Sequence, residues 1–291
     1  MAISRRVLLA APALIALLPA PTRALPDAKI HSGRLASLES RTGGRLGVAM
    51  FDTHTQTLAM HRGDERFAMC STFKFLAAAA VLARVDTGDE DLERRIVYGE
   101  EKLLPWSPVT EEHADELGMT LAELCEAAVA MSDNTAANLL LEALGGPQAV
   151  TEYARSLGDE ITRLDRYEPD LNNVPPGDVR DTTTPRAMLG NLQKIVLGDA
   201  LSDASRQRIS GWLIGSRTGD KRLRAGFPAG WRIGDKTGTS RSVTGDIAVA
   251  WAPERKALIV SAYFDAPRMS AADREAVLRD VGKIAAELAA S

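Results

Sequence analysis

Apolar positions fall into helical and strand periods in a clear order along the chain. Leu35 and Leu38 share a helical period, and 27–41 reads as a first helix. Leu46–Phe51 and Thr57–His61 read as the two strands of a hairpin around Asp52-Thr53-His54-Thr55. From Ser71 to about Val85 the chain is apolar all round, with Phe75-Leu76-Ala77-Ala78-Ala79-Ala80-Val81-Leu82 at its centre, which predicts a fully buried helix. An irregular charged stretch runs on to Pro108. Thr120-Leu121-Ala122-Glu123 is a capping-box pattern that opens a helix. Ser132-Asp133-Asn134 opens another over Thr135–Leu144, ended by Gly145-Gly146-Pro147, and a further helix covers about Gln148–Leu157. Residues 163–181 have no periodicity and carry Pro169, Pro175, Pro176 and Gly177; loops this long inside a compact domain are often functional. Thr184-Pro185 starts the next helix and Ala204–Ile214 forms another. The last third changes character. Trp231–Ile233, extending to Asp235, Ile247–Trp251 and Ala257–Phe264 are short apolar runs suited to strands, and a helix over about Ala271–Ala289 closes the chain. Strands at both ends with helices between them predict one sheet built from both termini, with a helical insert.

Composition changes this picture mainly at the N-terminus. The 291 residues, 45% hydrophobic and 25% charged, suit one large or two small soluble domains. Formal charge is −4 and no basic stripe occurs, which argues against a nucleic-acid partner. Ser4-Arg5-Arg6, an apolar run from Val7 to Leu18, and Pro19-Ala20-Pro21-Thr22-Arg23-Ala24 read as a signal peptide over 1–24, cut after Ala24. The apolar run is too short to span a bilayer, so no stable membrane anchor is expected. The Arg-Arg pair also fits a twin-arginine signal. Residues 1–24 hold three arginines and no acid, so the mature chain carries −7. The expectation is an exported, acidic, soluble protein. Its two cysteines, Cys70 and Cys125, are expected as free, buried thiols. Its four histidines show no ligand spacing, so no metal site is expected.

Four motifs carry candidate chemistry. Ser71-x-x-Lys74 puts a hydroxyl and an ammonium on one face of the buried helix near its first turn. A base can activate the serine, and a lysine in an apolar helix can have its pKa lowered towards that work. The helix N-terminus adds N–H groups suited to an oxyanion. Ser132-Asp133-Asn134, read alone, is a helix N-cap; beside Ser71 and Lys74 it offers a second hydroxyl for proton relay and an amide for substrate. Glu168-Pro169-Asp170-Leu171-Asn172 could hold one water between a carboxylate and an amide. Lys236-Thr237-Gly238-Thr239-Ser240 reads as a turn after the strand ending at Asp235, where a lysine and two hydroxyls can hold a carboxylate and Gly238 permits close backbone approach.

In this order and at these spacings the four motifs resemble the class A serine β-lactamases. The resemblance runs over the whole mature chain and includes Arg163-Leu164-Asp165-Arg166 and Arg180-Asp181-Thr182-Thr183-Thr184-Pro185. It implies an α+β sandwich: an antiparallel five-stranded sheet flanked by helices and built from both chain ends, plus an all-helical domain. The division would be 25–68 with 213–291 for the α/β domain and 69–212 for the helical domain, including the loop 163–181. It implies hydrolysis of penicillins and cephalosporins through an acyl-enzyme, no cofactor, and a monomer.

The resemblance also implies roles. Ser71 is the nucleophile. Lys74 and Glu168 share the proton work of acylation, and Glu168 with Asn172 activates the deacylating water. Ser132 passes a proton to the lactam nitrogen. The backbone N–H groups of Ser71 and Thr239 form the oxyanion hole. Lys236, Thr237, Gly238 and Thr239 meet the substrate carboxylate, Asn134 the side-chain amide, and Trp106 walls the mouth. Arg166 and Asp181 pin the long loop, with a cis Glu168–Pro169 bond.

Some positions depart from relatives. Cys125 lacks the partner many relatives carry at the position of Ala78. Cys70 lacks the partner that carbapenem-hydrolysing relatives carry at the position of Ser240, so carbapenemase activity is not implied. Other relatives have an arginine near Thr244; here Arg222 is expected to supply that charge. A penicillin-binding D,D-peptidase would lack the Glu168/Asn172 pair, and a β-lactam sensor would need an anchor or partner domain.

Overall fold

The computed structural model describes residues 25–114 and 117–290. The signal-peptide reading of 1–24 lies outside the described residues. Helix α1 spans Leu25–Thr42 and is followed by the hairpin β1 (Arg45–Asp52) and β2 (Thr57–His61). The helices α2 (Phe73–Thr87), α3 (Leu121–Ala130), α4 (Asn134–Leu144), α5 (Gln148–Ser156), α6 (Pro185–Leu192) and α7 (Asp203–Ile214) come next. Strands β3 (Arg232–Thr239), β4 (Val243–Trp251) and β5 (Leu258–Asp265) return to the sheet, and α8 (Ala271–Ala290) ends the chain.

The sheet is antiparallel with order β2-β1-β5-β4-β3, so the first long strand pairs with the last, Val48 facing Ala262. Successive side chains point to opposite faces. Val48, Met50, Val260 and Ala262 therefore meet Leu35 and Leu38 of α1 and Leu278, Val281 and Leu288 of α8. Ala49, Ile247, Val249, Ile259 and Tyr263 point the other way, into the core of the helical body. Both faces are covered, which is why these strands read as unbroken apolar runs. Helix α2 is the axis of the helical body: every residue from Phe73 to Leu82 is buried. Truncating a fully buried side chain such as Leu76 to alanine costs about 2–5 kcal/mol.

β4, expected over Ile247–Trp251, starts earlier, at Val243, and two other differences from the sequence reading bear on the site. The strand expected to stop at Asp235 continues to Thr239, so Lys236-Thr237-Gly238 is not a turn after a strand but its final, paired half. β3 is an edge strand whose polar end faces a cleft, so the apolar signal fades while the hydrogen-bond ladder does not. Ser71 lies in a short 3-10 turn, Cys70–Thr72, that leads into α2 rather than in the α-helix itself. Both cysteines are free and buried.

Candidate active site

The site is built where the Cys70–Thr72 turn abuts the end of β3. Cys70 takes a left-handed backbone, φ 46°, which turns the chain sharply into α2 and presents Ser71 to the cleft. A β-carbon on Gly238 would stand 2.6 Å from Met69 O and 3.2 Å from Ser71 N. Only glycine lets the strand approach this closely, and the approach brings the backbone of Ser71 beside that of Gly238-Thr239. Burial pushes the Cys70 thiol up to about 12, so it remains a neutral packing group beneath the nucleophile.

Glu168 joins the two ends of the Ser-x-x-Lys motif. Ser71 Oγ donates to Glu168 Oε1 at 3.2 Å, and Lys74 Nζ is 3.2 Å from the same oxygen. Lys74 also donates to Ser132 O (2.8 Å) and Asn134 Oδ1 (2.6 Å), which uses all three of its N–H groups. The serine and lysine are thus linked through the carboxylate, which stands between them. Lys74 is fully buried, and burial lowers its pKa against the opposing pull of Glu168.

Glu168 is held from several sides. Asn172 Nδ2 donates to its Oε2 at 2.5 Å, and the Glu168–Pro169 bond is cis. Asn138 on α4 clamps its backbone, donating to Glu168 O (3.0 Å) and accepting from Glu168 N (2.9 Å). The loop itself is tied by Arg166 Nε to Asp181 Oδ2 at 2.6 Å, with the Asp165 and Arg166 amides on Asp181 Oδ1. Asn138 was missed in the sequence, although it lies one helical turn beyond Asn134 and so on the same face.

Ser132-Asp133-Asn134 divides its work. Asp133 is the helix cap, accepting from Ala136 N at 2.8 Å, and its buried carboxylate also accepts from Val109 N and Thr110 N. Ser132 has a left-handed backbone, φ 58°, and accepts from Lys236 Nζ at 2.9 Å. Lys236 is fully buried, and its pKa falls well below the usual lysine range, first through burial and then through the charges of Lys74 and Arg222. Thr237 Oγ1 lies 2.6 Å from Thr218 Oγ1, a wall residue that the sequence did not mark.

These groups border a cleft of about 480 Å³, within the usual range for small-molecule sites. Ser71, Ser132, Asn134, Asn172, Arg222, Thr237, Gly238 and Thr239 line it, together with Arg217 and Thr218. Lys74, Glu168 and Lys236 stand behind this lining. Trp106, exposed at the mouth, is fixed by Nε1 donating to Met131 O at 3.1 Å. Arg222 is buried in the wall with its N–H groups on Gly238 O, Gly245 O, Thr239 Oγ1 and Glu275. Thr244, near where some relatives carry an arginine, accepts instead from Arg274 Nε at 2.9 Å.

Known proteins match this chain over nearly all its length. The model of the Beta-lactamase enzyme family matches residues 32–289. The chain is 46% identical to Beta-lactamase OXY-1 of Klebsiella oxytoca over 97% of both chains. It is 44% identical to Beta-lactamase CTX-M-8 of Citrobacter amalonaticus over 96% of both. Among solved structures, an ancestral class A β-lactamase reconstructed for Gram-negative bacteria superposes with a TM-score of 0.86 at 60% identity, covering 88% of this chain and 99% of that one. The motifs, the cleft they converge on and these matches agree: the chain belongs to the class A serine β-lactamases.

Proposed function

We propose that this enzyme opens the β-lactam ring of penicillins and cephalosporins through a serine acyl-enzyme and so confers antibiotic resistance. The single observation that carries the mechanism is Glu168 Oε1, which meets both Ser71 Oγ and Lys74 Nζ at 3.2 Å. As Ser71 Oγ attacks the lactam carbonyl, its proton passes to Glu168, with Lys74 completing the buried proton network. The oxygen that gains the negative charge is received by the backbone N–H groups of Ser71 and Thr239. Ser132, bonded to Lys236, gives its proton to the departing lactam nitrogen and is reprotonated by way of Lys74 with the proton that Glu168 took up, which returns Glu168 to a carboxylate. Glu168, oriented by Asn172 and Asn138, then takes a proton from the water that attacks the ester, and Ser71 is regenerated.

Lys236, Thr237 and Thr239 receive the substrate carboxylate and Asn134 the side-chain amide, with Trp106 at the mouth. Arg222 contributes positive potential from the wall and fixes Thr239. The enzyme acts without a cofactor, as a monomer, and nucleic acid is not a partner. It is exported, with 1–24 as the signal peptide, and the Arg5-Arg6 pair supports a twin-arginine route. Among the described residues no helix is long and apolar enough to cross a membrane. We read 25–68 with 213–291 as the α/β domain and 69–212 as the helical domain; the separate apolar cluster between the sheet, α1 and α8 supports this division.

The test is hydrolysis of a chromogenic cephalosporin by residues 25–291, with Ser71→Ala and Glu168→Ala beside it. Turnover is expected in the unaltered chain and lost in both variants, and Glu168→Ala should accumulate a penicillin adduct by mass. One stoichiometric burst without turnover in the unaltered chain would indicate a D,D-peptidase or a sensor instead.

A further inference from the structure

Two arginines line the cleft, and they are in opposite states. A guanidinium has five N–H donors. Those of Arg222 are all engaged: Nε and Nη2 on Glu275 Oε1 at 3.3 Å, Nη1 on Gly238 O (3.1 Å) and Gly245 O (3.0 Å), and Nη2 also on Thr239 Oγ1 (2.7 Å). Its side chain is 8% exposed and its charge is partly offset by Glu275. It has no N–H to spare for an incoming anion.

Arg217 is exposed at the rim of the same cleft. Its backbone is fixed, with its N–H on Ala130 O at 3.0 Å. Its guanidinium makes no hydrogen bond or ion pair among the described residues. The nearby acids Asp220 and Asp235 are turned instead to Arg224. Arg217 adjoins Thr218, whose hydroxyl touches Thr237, so the free charge stands at the end of the cleft where the ring carboxylate would be received.

We propose that Arg217 is a specificity-determining residue, an unpaired cation that draws the carboxylate of the β-lactam into the cleft and favours substrates with more negative charge on that ring. Every penicillin and cephalosporin carries this carboxylate, and cephalosporins differ in the charge of the second substituent on the ring. A cationic substituent there meets Arg217 as a like charge; a neutral or anionic one does not. The inference rests on the β-lactamase reading of the site.

A rim charge acts through association and is screened by salt. Arg217→Gln should raise KM for a penicillin with an uncharged side chain by roughly three- to fivefold, with kcat unchanged. It should flatten the fall of kcat/KM between 20 mM and 500 mM NaCl and reduce the preference for a neutral over a cationic cephalosporin substituent. Arg217→Lys, which keeps the charge, should retain most of the KM and the salt dependence; a purely packing role would not be rescued this way. KM and salt slope in Arg217→Gln equal to those of the unaltered enzyme would overturn the inference and leave the β-lactamase reading intact. No hydrolysis by the unaltered enzyme would overturn both.

Discussion

Lys74 and Lys236 are both fully buried, and burial makes each a weaker holder of its proton. The two differ in what compensates. Lys74 has a carboxylate at 3.2 Å, whereas among the described residues Lys236 donates to a hydroxyl and a carbonyl, with Asp235 and Asp246 acting on it only through their charge. The consequence for pH has a definite sign. An unfolded lysine titrates near 10.5, so between the lowered native pKa and that value the unfolded chain binds more protons. Stability contributed at this residue therefore rises with pH across that window. Lys236→Met should remove this alkaline rise, leave Tm unchanged or higher near neutrality, and reduce kcat/KM by roughly 100-fold; an unchanged kcat/KM would remove Lys236 from the site. In the intact enzyme KM should climb on the alkaline side at a pH below 10.5, as Lys236 loses its charge. A second expectation concerns Arg222, which reaches the cleft through Thr239 Oγ1 at 2.7 Å. Because the two share that bond, the KM penalties of Arg222→Ala and Thr239→Ala should fall short of additivity in the double variant, whereas independent roles would simply add. Ser71, Lys74, Glu168 and Asn172 were legible as motifs because each has a fixed spacing along the chain. Asn138 and Arg217 were not: Asn138 clamps a backbone, with only its helical spacing from Asn134 to mark it, and Arg217 has no side-chain hydrogen bond or ion pair among the described residues, which leaves no pattern in sequence.

Elements were legible where local chemistry and burial point the same way. Thr120 accepts from Glu123 N at 3.2 Å while Glu123 Oε2 accepts from Thr120 N at 2.7 Å, the reciprocal cap that Thr120-x-x-Glu123 announces. Thr120→Ala should lower unfolding free energy by about 1 kcal/mol, measured by denaturant titration, and leave kcat/KM unchanged because α3 carries none of the catalytic groups. The loop 163–181 was legible as a loop, and its ends were recognised through the Arg166–Asp181 pair. The end of β3 was not. Its last residues, Lys236-Thr237-Gly238-Thr239, lack the apolar run that marked the other strands, and lysine and glycine disfavour strands; they hold strand geometry through the register Lys236–Ile247, Gly238–Gly245 and Thr239–Thr244. The chemistry thus sits on a rigid ladder where the sequence alone suggested a flexible turn.

At the scale of the whole molecule, the helical body and the sheet share one apolar cluster, in which Ile247, Val249 and Tyr263 lie with α2, α3 and α4. The cleft is the seam between them, so its two walls hold register only while both halves are packed. The order of strands adds something further. β1 sits between β2 and β5, and its partner Leu258–Asp265 lies more than two hundred residues downstream. A chain leaving the ribosome has made Ser71, Lys74, Ser132 and Glu168 long before Lys236, and β1 has no second neighbour until β5 emerges. A chain cut before Leu258 would leave β1 with β2 as its one sheet neighbour, and such a chain is expected to hydrolyse no β-lactam even though it carries Ser71, Lys74, Ser132 and Glu168.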